Sequence, residues 1–161
     1  MKRTADKIKP SIEVQEIVQK WRQDNLKIVF TNGCFDILHL GHVDYLEKAS
    51  QLGQKLVVGI NSDDSVQRLK GSPRPFNRQE ERSRIIAALA FVDLVIVFEE
   101  DTPFNLIKNL KPQVLVKGND YISDNIVGAD IVTQNGGEVR TIEIVKGFST
   151  TGLINKIIKE K

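Results

Sequence analysis

Five short stretches of the chain are almost continuously apolar and rich in valine, isoleucine and leucine: residues 27–30, 55–61, 93–98, 113–116 and 138–144. Runs of this length bounded by polar residues read as strands buried on both faces. Between them the apolar positions fall into helical spacing. Val14, Ile17, Val18 and Trp21 predict a helix ahead of the first strand, with Ser11 as its cap. Val43, Leu46, Ala49 and Leu52 predict a second, closed by Gly53. A short helix follows the Ser62-Asp63-Asp64-Ser65 turn and ends near Leu69-Lys70-Gly71. Residues 71–76 form a rigid proline-containing loop, and Asn77 with Glu80 sets up a capping box for a helix through Ala90. Thr102-Pro103 starts a further helix, 126–135 predicts another stopped by Gly136-Gly137, and residues 147–151 open a C-terminal helix through Ile158.

Strand alternating with helix predicts an α/β fold, a doubly wound, five-stranded parallel sheet covered on both faces. Residues 1–26 read as a mobile polar tail and a packing helix, and residues 27–161 as one domain. In such sheets ligands sit outside the carboxyl ends of the strands, where the strand order reverses. Polar clusters follow strands one, two, four and five, at 31–42, 61–64, 117–121 and 146–151. The site is therefore expected there before any motif is considered.

Composition narrows the function classes. With 161 residues, 40% hydrophobic and 27% charged, the chain is long enough for one sizeable core. A net charge of +2 without a basic stripe argues against a nucleic-acid partner. No apolar segment approaches the length that spans a bilayer, and none of signal length follows Met1-Lys2-Arg3. The lone cysteine precludes an internal disulfide and suits a reducing compartment, so a cytoplasmic location is expected.

The chemistry concentrates in Thr31-Asn32-Gly33-Cys34-Phe35-Asp36-Ile37-Leu38-His39-Leu40-Gly41-His42. Both histidines of the chain are here, bracketing Leu40-Gly41 at the start of a helix. Glycine lets a ligand approach the backbone, and a helix start offers free N–H groups and the positive end of a dipole, so a phosphate is the natural guest. A zinc cluster of Cys34, Asp36, His39 and His42 is the competing reading, disfavoured because no second cysteine or further histidine completes a closed site. Ser149, Thr150 and Thr151 decorate a second helix start that suits a polyphosphate, and Lys70 and Lys117 lie at strand or helix ends where they add charge. A Walker loop and a Gly-x-Ser-x-Gly elbow are both missing from the sequence. Phosphoryl chemistry by position and charge remains, and nucleotidyl transfer fits it.

The His-x-Gly-His pattern after Gly33-Cys34-Phe35-Asp36, with Phe148-Ser149-Thr150-Thr151 near the C-terminus, resembles the nucleotidylyltransferase superfamily that includes the glycerol-3-phosphate cytidylyltransferases. Asn61-Ser62-Asp63-Asp64, Leu69-Lys70-Gly71, Glu100-Asp101-Thr102-Pro103, Val116-Lys117-Gly118 and Ile126-Val127-Gly128-Ala129 draw the resemblance towards the D-glycero-β-D-manno-heptose 1-phosphate adenylyltransferases. That resemblance implies a Rossmann-like nucleotidylyltransferase fold and transfer of AMP from ATP to the sugar 1-phosphate. It implies that His39, His42 and Lys70 are catalytic and that Ser149, Thr150 and Thr151 hold the β- and γ-phosphates. Thr31, Asn32, Gly33, Phe35 and Gly41 would line the α-phosphate region, with Asp36 orienting groups there or meeting magnesium. Lys117, Gly118, Asp120 and Tyr121 would border the nucleoside. Asn61, Asp63, Arg82 and Asp93 rank second, and Mg2+ is expected through the ATP phosphates.

Two departures stand out. Many heptose relatives read Lys-Gly-Gly-Asp-Tyr where this chain has Lys117-Gly118-Asn119-Asp120-Tyr121, and Ile144 occupies a place where glycerol-phosphate relatives carry arginine. Cytidylyl transfer to glycerol 3-phosphate, or a non-catalytic nucleotide-binding module, are the alternatives. The expected partners are the small-molecule substrates, a second copy in a homodimer, and a separate heptose kinase in the same pathway.

Overall fold

The chain builds its sheet outward from the first strand and then returns across it. In the computed structural model, which describes residues 3–119 and 126–159, the strands are β1 (Ile28–Gly33), β2 (Lys55–Asn61), β3 (Leu94–Phe98), β4 (Val114–Gly118) and β5 (Glu138–Ile142). They pair in the order β3-β2-β1-β4-β5, all parallel. The reversal falls between β1 and β4. There the register is short, Val29 opposite Val114 and Phe30 opposite Leu115, whereas β1 and β2 stay paired from Ile28–Lys55 to Gly33–Ile60. The two central strands thus part towards their carboxyl ends and open a crevice at the switch point.

Helices α1 (Ser11–Gln23), α2 (Leu40–Ser50), α3 (Asp63–Lys70), α4 (Gln79–Ala88), α5 (Phe104–Leu110), α6 (Ala129–Gln134) and α7 (Thr150–Lys159) connect and follow the strands. Strand side chains alternate between two cores, as the pleat requires. Val29, Val58, Ile60, Val95, Val114 and Val116 meet Leu46 and Ala49 of α2 and Ile86 and Ala87 of α4. Ile28, Phe30, Val57, Ile96 and Leu115 meet Val14 and Val18 of α1, Leu106, Ile107 and Leu110 of α5, and Val132 of α6. Among the described residues no helix is long and apolar enough to cross a membrane.

Several local expectations shift. The N-terminal segment is docked and not a loose tail: Thr4–Lys7 form a 3-10 turn, Ile8 bridges Val95, and Lys9 N donates to Val95 O at 3.0 Å. It covers the outer edge of β3, whose backbone groups would otherwise lack partners. Helix α4 is capped by Arg78, whose N–H donates to Glu81 Oε2 at 2.8 Å. Asn77 serves another purpose, described below. Strand β4 runs on through Lys117 and Gly118, and α5 begins at Phe104 after Pro103.

Gly53 has no left-handed cap geometry; its role is close approach. A Cβ there would lie 2.6 Å from Lys27 O and 2.7 Å from Val29 Cγ2. Lys27 O accepts from Gln54 N at 2.9 Å and Lys27 N donates to Gln54 Oε1 at 2.7 Å, so this contact joins the starts of β1 and β2. Gly53→Ala is expected to destabilise the protein by about 1–3 kcal/mol, since a rigid backbone atom must move. Urea unfolding of the two proteins measures it.

Candidate functional site

Strand β1 delivers the chain to the crevice, and the following turn places both imidazoles. Phe35 takes φ +46°, in the left-handed region, and turns the chain back over the end of the strand. His39 caps α2, its carbonyl accepting from His42 N at 2.9 Å and Val43 N at 3.2 Å. The two rings stack with centroids 3.8 Å apart and planes 20° apart, and the Phe35 ring meets His42 edge-on at 5.2 Å. Gly41 is what permits this. A Cβ on it would sit 3.1 Å from His39 Cε1 and Nδ1 and 3.3 Å from Phe148 Cβ, so one missing atom lets the His39 ring and the segment before α7 both close on the start of α2.

Burial, and secondarily the neighbouring His39, push the His42 pKa down to about 4. Burial lowers that of His39 as well. Both rings are therefore neutral at pH 7, each with one N–H to donate. The Nδ1 atoms of both are buried without a hydrogen-bond partner among the described residues.

The rings open onto a cavity of about 650 Å3. Its floor is the splayed end of the sheet: Asn32 and Gly33 of β1, Asn61 of β2, and Lys117 and Gly118 of β4. Lys117 is buried, and its ammonium donates to Asn32 Oδ1 across the switch point. Lys70, the last residue of α3, lines the cavity from an exposed position and makes no hydrogen bond or ion pair among the described residues. Ser149, Thr150 and Thr151 close the opposite side at the start of α7, where Ser149 Oγ accepts from Gly152 N at 3.0 Å. Two helix N-termini thus face one cavity, with two lysines beside them, which suits an extended polyanion.

Other expected site residues hold the site instead of lining it. Thr31 is fully buried, with Oγ1 2.7 Å from Tyr45 Oη. Asp36 borders the cavity, yet its Oδ1 accepts from Phe76 N at 2.8 Å and Asn77 N at 2.9 Å, and its Oδ2 from Arg74 Nε at 2.5 Å. Three of its acceptor bonds are committed to the segment before α4. Asn77 Nδ2 returns a bond to Asp36 O at 2.7 Å. Arg82 is wholly buried; its guanidinium donates to Asn77 O, Cys34 O and Asn61 O at 3.0, 2.7 and 2.8 Å and to Asp63 Oδ1 at 2.7 Å. Neither Arg82 nor Asp63 borders the cavity. Asp93 is at the opposite, amino end of the sheet, bound to Lys55 Nζ at 2.9 Å and Leu56 N at 2.8 Å. Asp120 and Tyr121 lie outside the described residues. Among the described residues no three His, Cys, Asp or Glu are grouped to hold a metal ion.

The lining residues to which the sequence reading gave no site role include Tyr45, Arg74, Asp101, Thr102, Ile144 and Phe148. Arg74 stood in an apparently rigid loop, and only its pairing with Asp36, far away in the chain, marks it. Asn119, the departure from Gly, ties the end of β4 to the segment after β5: its N donates to Ile142 O at 2.9 Å and its Oδ1 accepts from Ile144 N at 3.3 Å.

A parallel sheet with this order, two phosphate-suited helix starts and a stacked His-x-Gly-His pair at the switch point define a Rossmann-like nucleotidylyltransferase fold. The chain belongs to the cytidylyltransferase-like family, whose model matches residues 30–155. It is 50% identical over 157 residues to the bifunctional protein HldE of Magnetococcus marinus, covering 98% of this chain and 32% of that protein. It is 54% identical over 151 residues to that of Campylobacter concisus, covering 94% and 31%. The chain thus spans about a third of the length of these relatives. Among solved structures, a lipopolysaccharide core biosynthesis protein from Thermoplasma volcanium superposes with a TM-score of 0.62 at 31% identity, covering 76% of this chain and 99% of that one. A pantoate-beta-alanine ligase from Francisella tularensis shares the fold alone, at TM-score 0.61, 14% identity, and coverage of 96% and 79%.

Removing the Arg82 guanidinium leaves the Asp63 carboxylate and three buried or part-buried carbonyls without their donor. Arg82→Met is expected to cost about 3–5 kcal/mol in urea unfolding. The histidines give the stability a pH dependence. His42 titrates near 6.5 when unfolded and near 4 when folded, so between these values the unfolded chain binds more protons. The contribution is fully present above pH 6.5 and is lost as the pH falls towards 4, on the order of 3 kcal/mol in all. His42→Gln should flatten this limb in unfolding curves recorded from pH 7.5 to 4.5; an unchanged limb would contradict it.

Proposed function

We propose that this chain transfers AMP from ATP to D-glycero-β-D-manno-heptose 1-phosphate, releasing pyrophosphate and forming ADP-heptose. The observation that carries the reading is the contact at Gly41, which brings the stacked histidines and the start of α7 together over one cavity. Half-identity to the HldE proteins and the similarity to a lipopolysaccharide core biosynthesis protein support the choice of acceptor.

In this reading the triphosphate lies between the two helix N-termini. A phosphate oxygen of the acceptor attacks the α-phosphorus in line, forming one P–O bond as the bond to the β-phosphate oxygen breaks. Neutral His39 and His42 donate N–H bonds to oxygens that gain charge in the transition state, where such donors count most. Lys70 offsets charge on the phosphates, Lys117 and Gly118 border the nucleoside on the β4 side, and Thr150 and Thr151 bind the β- and γ-phosphates at the start of α7. Magnesium bound to the ATP phosphates would supply charge neutralisation on the leaving pyrophosphate. Holding the reactants in line supplies several kcal/mol of the barrier, so no general base is assigned.

The test is pyrophosphate release with magnesium and each of ATP, CTP, GTP and UTP, offering the heptose 1-phosphate and, separately, glycerol 3-phosphate. Release with ATP and the heptose phosphate alone is expected. Release with CTP and glycerol 3-phosphate would transfer the chain to cytidylyl transfer, and ATP binding without turnover would make it a binding module. His39→Ala and His42→Ala should each lower kcat by about 10²–10³ while the fold persists. Near-normal rates in both variants would remove the histidines from the transition state.

A further inference from the structure

One cationic group on the cavity wall keeps donors beyond those its ion pair uses. Arg74 stands between Pro73 and Pro75 on the segment joining α3 to α4, and its side chain is only 17% exposed. Nε donates to Asp36 Oδ2 at 2.5 Å, and Cζ lies 5.2 Å from the centre of the Phe76 ring. Asp36 is itself 1% exposed and fixed by the backbone N–H groups of Phe76 and Asn77. One edge of the guanidinium is therefore held by Asp36 Oδ2, while Asp36 Oδ1 takes the two backbone amides. The other donors, on the two Nη atoms, have no partner among the described residues, although Arg74 lines the cavity. A guanidinium fixed at Nε with both Nη groups open is preorganised for a planar pair of oxygens.

Its position selects the ligand. The β4 side of the cavity, with Lys117, Gly118 and Ile144, is where the nucleoside belongs in the reading above, and the two helix starts take the triphosphate. The remaining wall is the β2 side, where Cys34, Lys70 and Arg74 line the cavity together. Lys70, Arg82 and Arg74 all lie near enough to Cys34 to oppose the rise that burial causes in its thiol pKa. Of these, Arg82 has its donors spent on Asp63 and three carbonyls. We infer that Arg74 is the acceptor-binding fork of the site, its Nη edge holding two oxygens of the incoming sugar phosphate so that a third faces the α-phosphorus. The inference rests on nucleotidyl transfer to a phosphate monoester, as proposed above.

Arg74→Lys keeps the charge and loses the fork; Arg74→Met loses both while leaving Asp36 its two amide donors. The acceptor KM should rise about tenfold in Arg74→Lys and about 100-fold in Arg74→Met. The ATP KM should stay near that of the parent in both variants, and the thermal midpoint should hold in Arg74→Lys but fall in Arg74→Met, where Asp36 loses its counter-ion. A role confined to holding the loop would move both KM values together, and a contact with ATP would raise the ATP KM; either result overturns the inference. Calorimetric titration of the heptose 1-phosphate into each protein saturated with a non-reacting ATP analogue separates the two levels. A parent protein that turns over while Arg74→Met binds acceptor as tightly sinks the fork and leaves the activity standing. A parent that neither binds nor turns over the acceptor sinks both.

Discussion

The carboxyl end of this sheet depends on one buried cation. Arg82 is the largest wholly buried side chain, and a charge so placed is tolerated only where every donor finds an acceptor. Its acceptors are Cys34 O after β1, Asn61 O at the end of β2, Asn77 O before α4, and the Asp63 carboxylate that opens α3. Four separate pieces of chain are thereby fixed to one planar group. Asp36 completes the arrangement with opposite charge, gripping the same segment before α4 through Phe76, Asn77 and Arg74. The turn that carries the histidines is anchored at both Cys34 and Asp36, so the imidazoles stand on a rigid base.

That rigidity explains how two unsatisfied histidines persist. Stacked rings at 3.8 Å cannot both be charged cheaply, and burial favours the neutral forms. Their Nδ1 atoms are buried without partners among the described residues, which carries a cost. The stacked pair is thereby held in one arrangement at the start of α2. Gly41 joins this half of the site to the other, since the same missing Cβ admits both the His39 ring and Phe148 ahead of α7.

The fold itself was largely legible in the chain. Runs such as 55–61 and 113–116 are apolar throughout because β2 and β4 are covered on both faces, and a strand covered on both faces cannot alternate. Helix ends were less legible, because caps depend on tertiary partners. Asn77 has the residue type for a cap, yet Asp36 recruits it, and α4 starts from Arg78. Gly53 looks like a helix stop by position but is required by the Lys27 carbonyl, which belongs to a different element.

The sequence by itself determined the strand–helix alternation, the place of the site at the carboxyl ends of the strands, and the two motifs that face it. These follow from local patterns: periodicity, Gly between two histidines, hydroxyls at a helix start. Only the tertiary structure decided which polar residues face the cavity and which hold it. Asp36, Asp63, Arg82 and Thr31 have the chemistry of ligand-binding groups, and their burial turns that chemistry inward on the protein's own backbone and side chains. Arg74 has the chemistry of an ordinary surface charge, and a carboxylate distant in sequence turns it towards the cavity. A side chain's type sets what it can bind, but its partners across the fold set what it is left free to bind.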